Sequence, residues 1–194
     1  MHQKIISVFG SSRPATGDTE YEQARTLGSA LAERGFAVCT GGYGGVMEAT
    51  SRGAKEAGGK TYGVTAEFFS RKANDWVDVE IRKKTWAERL FTLIEMGDGF
   101  VVCKGGTGTL VELAVVWEML NKRAMPAKPC VVLGLFWQPI LERVREVELA
   151  TNVTTGSSIW GEAKRTLVHS APHVDKAVEF LVAQLAPGKK VVTT

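Results

Sequence analysis

No apolar run in this sequence approaches the roughly 20 residues that a membrane-spanning helix needs, so membrane insertion is not expected. Cysteine is scarce. Cys39, Cys103 and Cys130 lack CxxC spacing and read as buried, reduced thiols of a cytoplasmic protein. Charge of one sign is also missing: 24 Lys+Arg against 21 Asp+Glu leave +3, with bases mixed among acids. No dense basic stripe therefore marks a nucleic-acid face, and the largest basic cluster, Arg82-Lys83-Lys84, reads as a solvated loop. A secretory leader is not evident, because Met1-His2-Gln3-Lys4 runs directly into a short apolar strand. Neither an internal repeat nor a linker divides the chain, which predicts one domain over residues 1–186 and a frayed tail at 187–194.

What is present is ordinary for a soluble globular chain: 194 residues, 44% hydrophobic and 23% charged, with a mean hydropathy of −0.03. That length can bury a sizeable core without disulfides or a structural metal. Short β-rich runs alternate with helical stretches. Strands are predicted at 5–9, 36–40, 61–65, 79–83, 99–103, 129–135 and 166–169. Helices are predicted at 19–34, 46–57, 85–96, from after Thr109 to about Leu120, 139–149 and 175–185. Capping-box spacings open two of them, Thr19 with Glu22 and Thr85 with Glu88, and residues 67–78 read as a polar loop or lid. Strands of near-continuous hydrophobicity separated by helices indicate a Rossmann-like, doubly wound parallel sheet covered by helices on both faces. Ligands bind such sheets beyond the carboxyl ends of the strands. Three small-residue loops lie there: Gly10-Ser11-Ser12, Gly41-Gly42-Tyr43-Gly44-Gly45 and Gly105-Gly106-Thr107-Gly108-Thr109.

The third loop is the most informative. Glycine lets backbone approach a ligand closely, and the free amides of the following helix N-terminus favour an anion such as phosphate. Alone, the same glycines would also serve a tight turn. Neither Gly106-x-Gly108 nor Gly42-x-Gly44 is followed by the third small residue of the dinucleotide fingerprint, so a nicotinamide cofactor is disfavoured. Residues 54–61 imitate a loosened P-loop, but they close a helix and precede a strand, the reverse of the required order. His169 and His173 flank Pro172 and do not form a helical metal pair, and no hydrolase triad is visible. Glu142, Glu146 and Glu148 among Arg143 and Arg145 read as a solvated helix face, and Trp117 and Met119 as core or subunit contact.

Two residues have open readings. Glu112 completes a capping-box spacing with Thr109, and it also lies one turn into the helix, where a carboxylate could face a sugar ring. Arg89 shares the helix face of Trp86, Leu90 and Leu93, either snorkelling from the stripe's edge or aimed into a pocket.

Arg89, then Asp98-Gly99-Phe100, then Gly105-Gly106-Thr107-Gly108-Thr109-Leu110-Val111-Glu112 resembles the signature of the LONELY GUY (LOG) family, once labelled lysine decarboxylase-like. Gly10-Ser11-Ser12, Gly41-Gly42 and Gly45-Val46-Met47 resemble its first two loops, and the likeness runs from about Ile5 to Leu135. The resemblance implies a Rossmann-like homodimer that hydrolyses the N-glycosidic bond of a nucleoside 5′-monophosphate without a metal or cofactor. It implies that Arg89 and Glu112 are the catalytic pair and that residues 105–109 hold the 5′-phosphate. Ser11, Ser12, Gly41, Gly42, Gly45, Met47 and Lys104 are then expected in the substrate site. This chain departs from the family at Lys104 (proline in the family), Leu90 (lysine) and Glu48 (glycine in plant-type members), and residues 67–78 have no counterpart. Related members include proteins that carry molybdenum cofactor or simply bind nucleotides, so a non-catalytic carrier is the alternative.

Overall fold

A computed structural model describes residues 3–150 and 167–186. Seven strands form one parallel sheet: β1 (Ile5–Phe9), β2 (Ala37–Thr40), β3 (Thr61–Ala66), β4 (Val79–Lys83), β5 (Gly99–Val102), β6 (Cys130–Leu133) and β7 (Val168–Ala171). Their spatial order is β4-β3-β2-β1-β5-β6-β7, so the chain winds outward from β1 in one direction and then from β5 in the other. The helices are α1 (Thr19–Glu33), α2 (Val46–Glu56), α3 (Trp86–Met96), α4 (Thr107–Asn121), α5 (Gln138–Ala150) and α6 (Val174–Leu185).

Period-two geometry explains why the strands are apolar throughout. Ile6, Val8, Val101 and Val131 point to one face, where α1, α2 and α6 cover them with Leu27, Leu31, Ala49 and Leu181. Phe9, Phe100, Val102 and Val132 point to the other, under Leu93 of α3, Leu113 and Trp117 of α4 and Leu141 of α5. Each large side chain so buried stabilises the fold by about 1.5–3 kcal/mol. Both faces of the sheet are therefore core, as the run pattern predicts. The three cysteines are buried free thiols, and among the described residues no helix is long and apolar enough to cross a membrane.

Several local expectations shift. Thr85 and Glu88 form a complete capping box at α3, but Thr19 and Glu22 do not form one at α1. There the N-cap is Asp18, whose carboxylate accepts from the Ala15 amide, while Glu22 Oε1 accepts from the Gly17 amide. Arg82 and Lys83 lie on β4, the edge strand, rather than on a loop. Charge on an edge strand discourages pairing with another chain. β7 begins at Val168, two residues later than expected, and His169 stacks on Phe180 with ring centroids 4.3 Å apart. The tail at 187–194, Thr166 and the side chain of Glu148 lie outside the described residues.

The winding reverses between β1 and β5, so the loops that follow them part and open a crevice at the carboxyl edge of the sheet. Ser11 N donates to Lys104 O (3.2 Å) at the base of that opening, holding the two loops side by side.

Candidate functional site

A cleft of about 1120 Å³ occupies this edge. Small-molecule sites span about 300–1,000 Å³, so the space is ample for one nucleotide-sized ligand. Its wall includes Ser11, Ser12, Met47, Arg89, Lys104 to Thr109 and Glu112, which were expected from the sequence. Gly41, Gly42 and Gly45, also expected there, do not line it; Gly41 packs against Arg89 and Met47, Gly45 against Ser11 and Ser12, and Gly42 against Thr65 and Gly63.

The phosphate-type loop is built by the start of α4. Its first i→i−4 bond runs from Leu110 N to Gly106 O (2.9 Å), so the helix offers no acceptor to the amides of Thr107, Gly108 and Thr109. The N-cap, Gly106, has no side chain to compete for them. These amides and the positive end of the helix dipole form an anion-favouring corner at the cleft wall. Thr109 itself is buried and packs over Gly105, where a Cβ would collide with it. The Lys104 ammonium beside the loop is engaged by Glu20 Oε1 at 2.6 Å.

Arg89 does not snorkel. Its side chain is 8% exposed, facing Glu112, which is 14% exposed, with Nη1 and Oε1 3.9 Å apart. Nε donates to Val64 O (2.8 Å) and Nη2 to Gly41 O (3.2 Å), so one carbonyl of β3 and one of the loop after β2 fix the guanidinium plane. Nη2 also lies 3.8 Å from Met47 Sδ. A Cβ at Gly41 would collide with this guanidinium, which is the physical reason for glycine there. Tyr43 and Phe69 place their rings 5.5 and 5.8 Å from the Arg89 carbon, adding cation–π attraction. Gly45, at φ +70, caps α2 and lets the second loop lie against the backbone of Ser11 and Ser12.

Glu112 is not a cap. α4 begins at Thr107, so Thr109 is already inside the helix and Glu112 turns toward Arg89. Burial pushes its carboxyl up to about 7, opposed by the nearby guanidinium. Burial also lowers the Arg89 value, with Glu112 opposing. A carboxyl that titrates near neutral pH, beside an oriented cation and a row of free amides, can hold or accept a proton while an anion is bound next to it.

Residues 67–78 form an anchored strap along the cleft instead of a loose loop. A 3₁₀ turn at Glu67–Phe69 follows β3, and Ser70 takes a left-handed conformation at φ 50. The Tyr43 hydroxyl donates to Ala66 O (3.2 Å) and accepts from Ala66 N (2.9 Å). At the other end Asn74 Nδ2 donates to Gly42 O (3.0 Å) and Tyr43 O (2.9 Å). This brings Phe68, Phe69 and Arg71 onto the cleft wall, together with Tyr43 and Trp86, none of which sequence reasoning assigned to the site. Trp86, expected on the core stripe of α3, is 41% exposed there. Two adjacent aromatics in a polar segment and a tyrosine inside a glycine loop were the available signals.

Comparisons with known proteins agree with this architecture. The chain is 26% identical over 159 residues to a cytokinin riboside 5′-monophosphate phosphoribohydrolase of Rhodococcoides fascians, covering 78% of this chain and 79% of the relative. An uncharacterized protein of Archaeoglobus fulgidus is 34% identical over 131 residues, covering 66% of this chain and 82% of that one. Among solved structures, the molybdenum cofactor binding protein of Rippkaea orientalis superposes with a TM-score of 0.71 at 28% identity, covering 95% and 98% of the two chains. The resemblance read from the arginine-to-glutamate block is borne out at the level of the family. Residues 3–153 match the SLOG cluster4 family, and the chain belongs to it.

Proposed function

We propose that this protein hydrolyses the N-glycosidic bond of a purine-type nucleoside 5′-monophosphate, releasing the base and ribose 5-phosphate. The observation that carries the reading is the facing pair Arg89 and Glu112, 3.9 Å apart beside the free amides that open α4. In this reading Thr107, Gly108 and Thr109 hold the 5′-phosphate, with Ser11 and Ser12 on the neighbouring loop. Fixing the phosphate brings the sugar over Glu112. As the bond to the base lengthens, positive charge develops on the ribose, and the carboxylate stabilises it. Glu112 takes a proton from water, the water oxygen bonds to the anomeric carbon, and the base leaves with the bonding electron pair and is then protonated. Arg89, held by Val64 O and Gly41 O, fixes the carboxylate's orientation and keeps part of its population ionised.

The test is a panel of nucleoside monophosphates, with free base and ribose 5-phosphate measured as products. Release by the wild type, lost in Glu112→Gln while ligand binding survives, is the expected result. A second reading, a non-catalytic carrier of a phosphorylated pterin or nucleotide, is supported by the likeness to the Rippkaea orientalis protein over nearly the whole chain. Binding without release in both forms favours it. A homodimer belongs to the proposal; Phe91 and Leu110 leave apolar surface exposed on α3 and α4 near the cleft, and light scattering decides the state.

A further inference from the structure

Phe68 is the most exposed large apolar side chain among those on the cleft wall, at 73%, and Trp86, which lines the same cleft, is 41% exposed. Apolar rings left this open on a concave surface signify a ligand surface that is not yet covered. Phe69 is already engaged: its ring meets Tyr43 edge-on at 5.5 Å and lies 5.8 Å from the Arg89 carbon. Phe68 touches Phe69 edge-to-face at 5.3 Å and otherwise offers its ring to the opening. The strap that bears it is riveted by Tyr43 at Ala66 and by Asn74 at Gly42, which reduces the ordering that presenting the ring requires. Phe68, Phe69, Met47 and Leu90 make the lining largely apolar here, and the hydrogen-bonding groups that accompany them are the Trp86 indole N–H and the Arg71 guanidinium, which offers a flat face as well as donors.

We propose that Phe68 and Trp86 are the specificity-determining residues, a stacking surface that recognises the ligand's planar base by its face and area and not by hydrogen bonds to its edge. The inference rests on the proposed nucleoside monophosphate reading and adds to it how the base is chosen. Larger ring systems gain more from such a surface, and exocyclic groups matter little. A purine with an amino group and one with a keto group at the same position are then held alike, and pyrimidines are held more weakly.

Calorimetric titration of the full chain in the Glu112→Gln background, where turnover does not interfere, tests this with AMP, IMP, UMP and ribose 5-phosphate. AMP and IMP should bind within about threefold of each other and about tenfold or more above UMP, while Phe68→Ala weakens both purines about tenfold. Ribose 5-phosphate affinity should stay unchanged in Phe68→Ala, and Phe68→Trp should restore purine binding where Phe68→Leu does not. An unaffected purine affinity in Phe68→Ala overturns the inference, as does an AMP-to-IMP ratio above about tenfold. Equal loss of ribose 5-phosphate would overturn it too, by placing Phe68 in the phosphate corner. If ribose 5-phosphate binds and the bases add nothing, the stacking surface fails while the phosphoribosyl site stands. If no compound in the panel binds, the nucleotide reading fails and takes this inference with it.

Discussion

Replacing Glu112 by glutamine should change how stability depends on pH, without any ligand present. The carboxyl is 14% exposed and its cation is 3.9 Å away, too far for a hydrogen bond, so burial wins and the group titrates at about 7 instead of its ordinary 4.5. Between those values the folded chain holds a proton that the unfolded chain has released. Stability from this group is thus fully present below the unfolded value and is lost as pH rises through about 7. At 1.36 kcal/mol per pH unit of separation, the loss amounts to about 3 kcal/mol. Glu112→Gln keeps the neutral shape and removes the titration. Urea unfolding, followed by far-UV circular dichroism at about pH 4.5 and about pH 8.5, reads the effect as a difference between the two proteins, in which the other carboxylates cancel. With a slope near 2 kcal/mol/M, the variant's midpoint should gain about 1.5 M on the wild type across that range. Parallel profiles would refute the reasoning: they would mean a carboxylate that is solvated or tightly paired in the apo protein, and Glu112 would lose its place as a group poised near neutral pH.

Three other outcomes follow from the same contacts. Thr85→Ala removes the side-chain acceptor of a complete capping box and should lower stability by about 1 kcal/mol in thermal or chemical unfolding, whereas Thr19→Ala should change little. Asn74→Ala removes the strap's side-chain bonds to Gly42 O and Tyr43 O and leaves only the backbone amide of residue 74 on Gly42 O; limited trypsin digestion should then cleave at Arg71 or Lys72 at least several-fold faster than in the wild type. Gly45→Ala places a Cβ against the backbone of Ser12 at a φ of +70, and should cost about 1–3 kcal/mol and weaken binding of any anion at the cleft, measured by titration with ribose 5-phosphate.

The sheet was legible because its physics is local in sequence. A strand covered on both faces must be apolar at every position, and Ile5–Phe9, Gly99–Val102 and Cys130–Leu133 are separated by helical periods that leave few other arrangements. The glycine loops were legible for the same reason: a loop that follows a buried strand and opens a helix announces its own geometry. The strap was not. Residues 67–78 carry no period, and what orders them is a tyrosine hydroxyl more than twenty residues away and an asparagine reaching back to the second loop. Contacts of that separation leave no trace in spacing, so Phe68, Phe69 and Trp86 could not be placed on the cleft until the sheet had brought β2, β3 and α3 together.

Three capping-box spacings show where sequence spacing stops being informative. At three expected helix starts, Thr19, Thr85 and Thr109, a threonine is followed three residues later by glutamate, and the spacing is a box at Thr85 alone. What decides is the helix's first residue. At α3 the helix begins at Trp86, directly after the threonine, so the hydroxyl meets the orphan amide of Glu88. At α1 it begins at Thr19 itself, and at α4 it begins at Thr107, two residues before Thr109. That early start carries Thr109 over Gly105, where no Cβ would fit. With the start fixed at Thr107, Thr109 becomes an interior residue packed over Gly105, and Glu112 is rotated off the capping position onto the face that meets Arg89. The helix start that leaves the amides of α4 free therefore also aims the carboxylate, so the anion corner and the acid of the cleft are set by one structural choice.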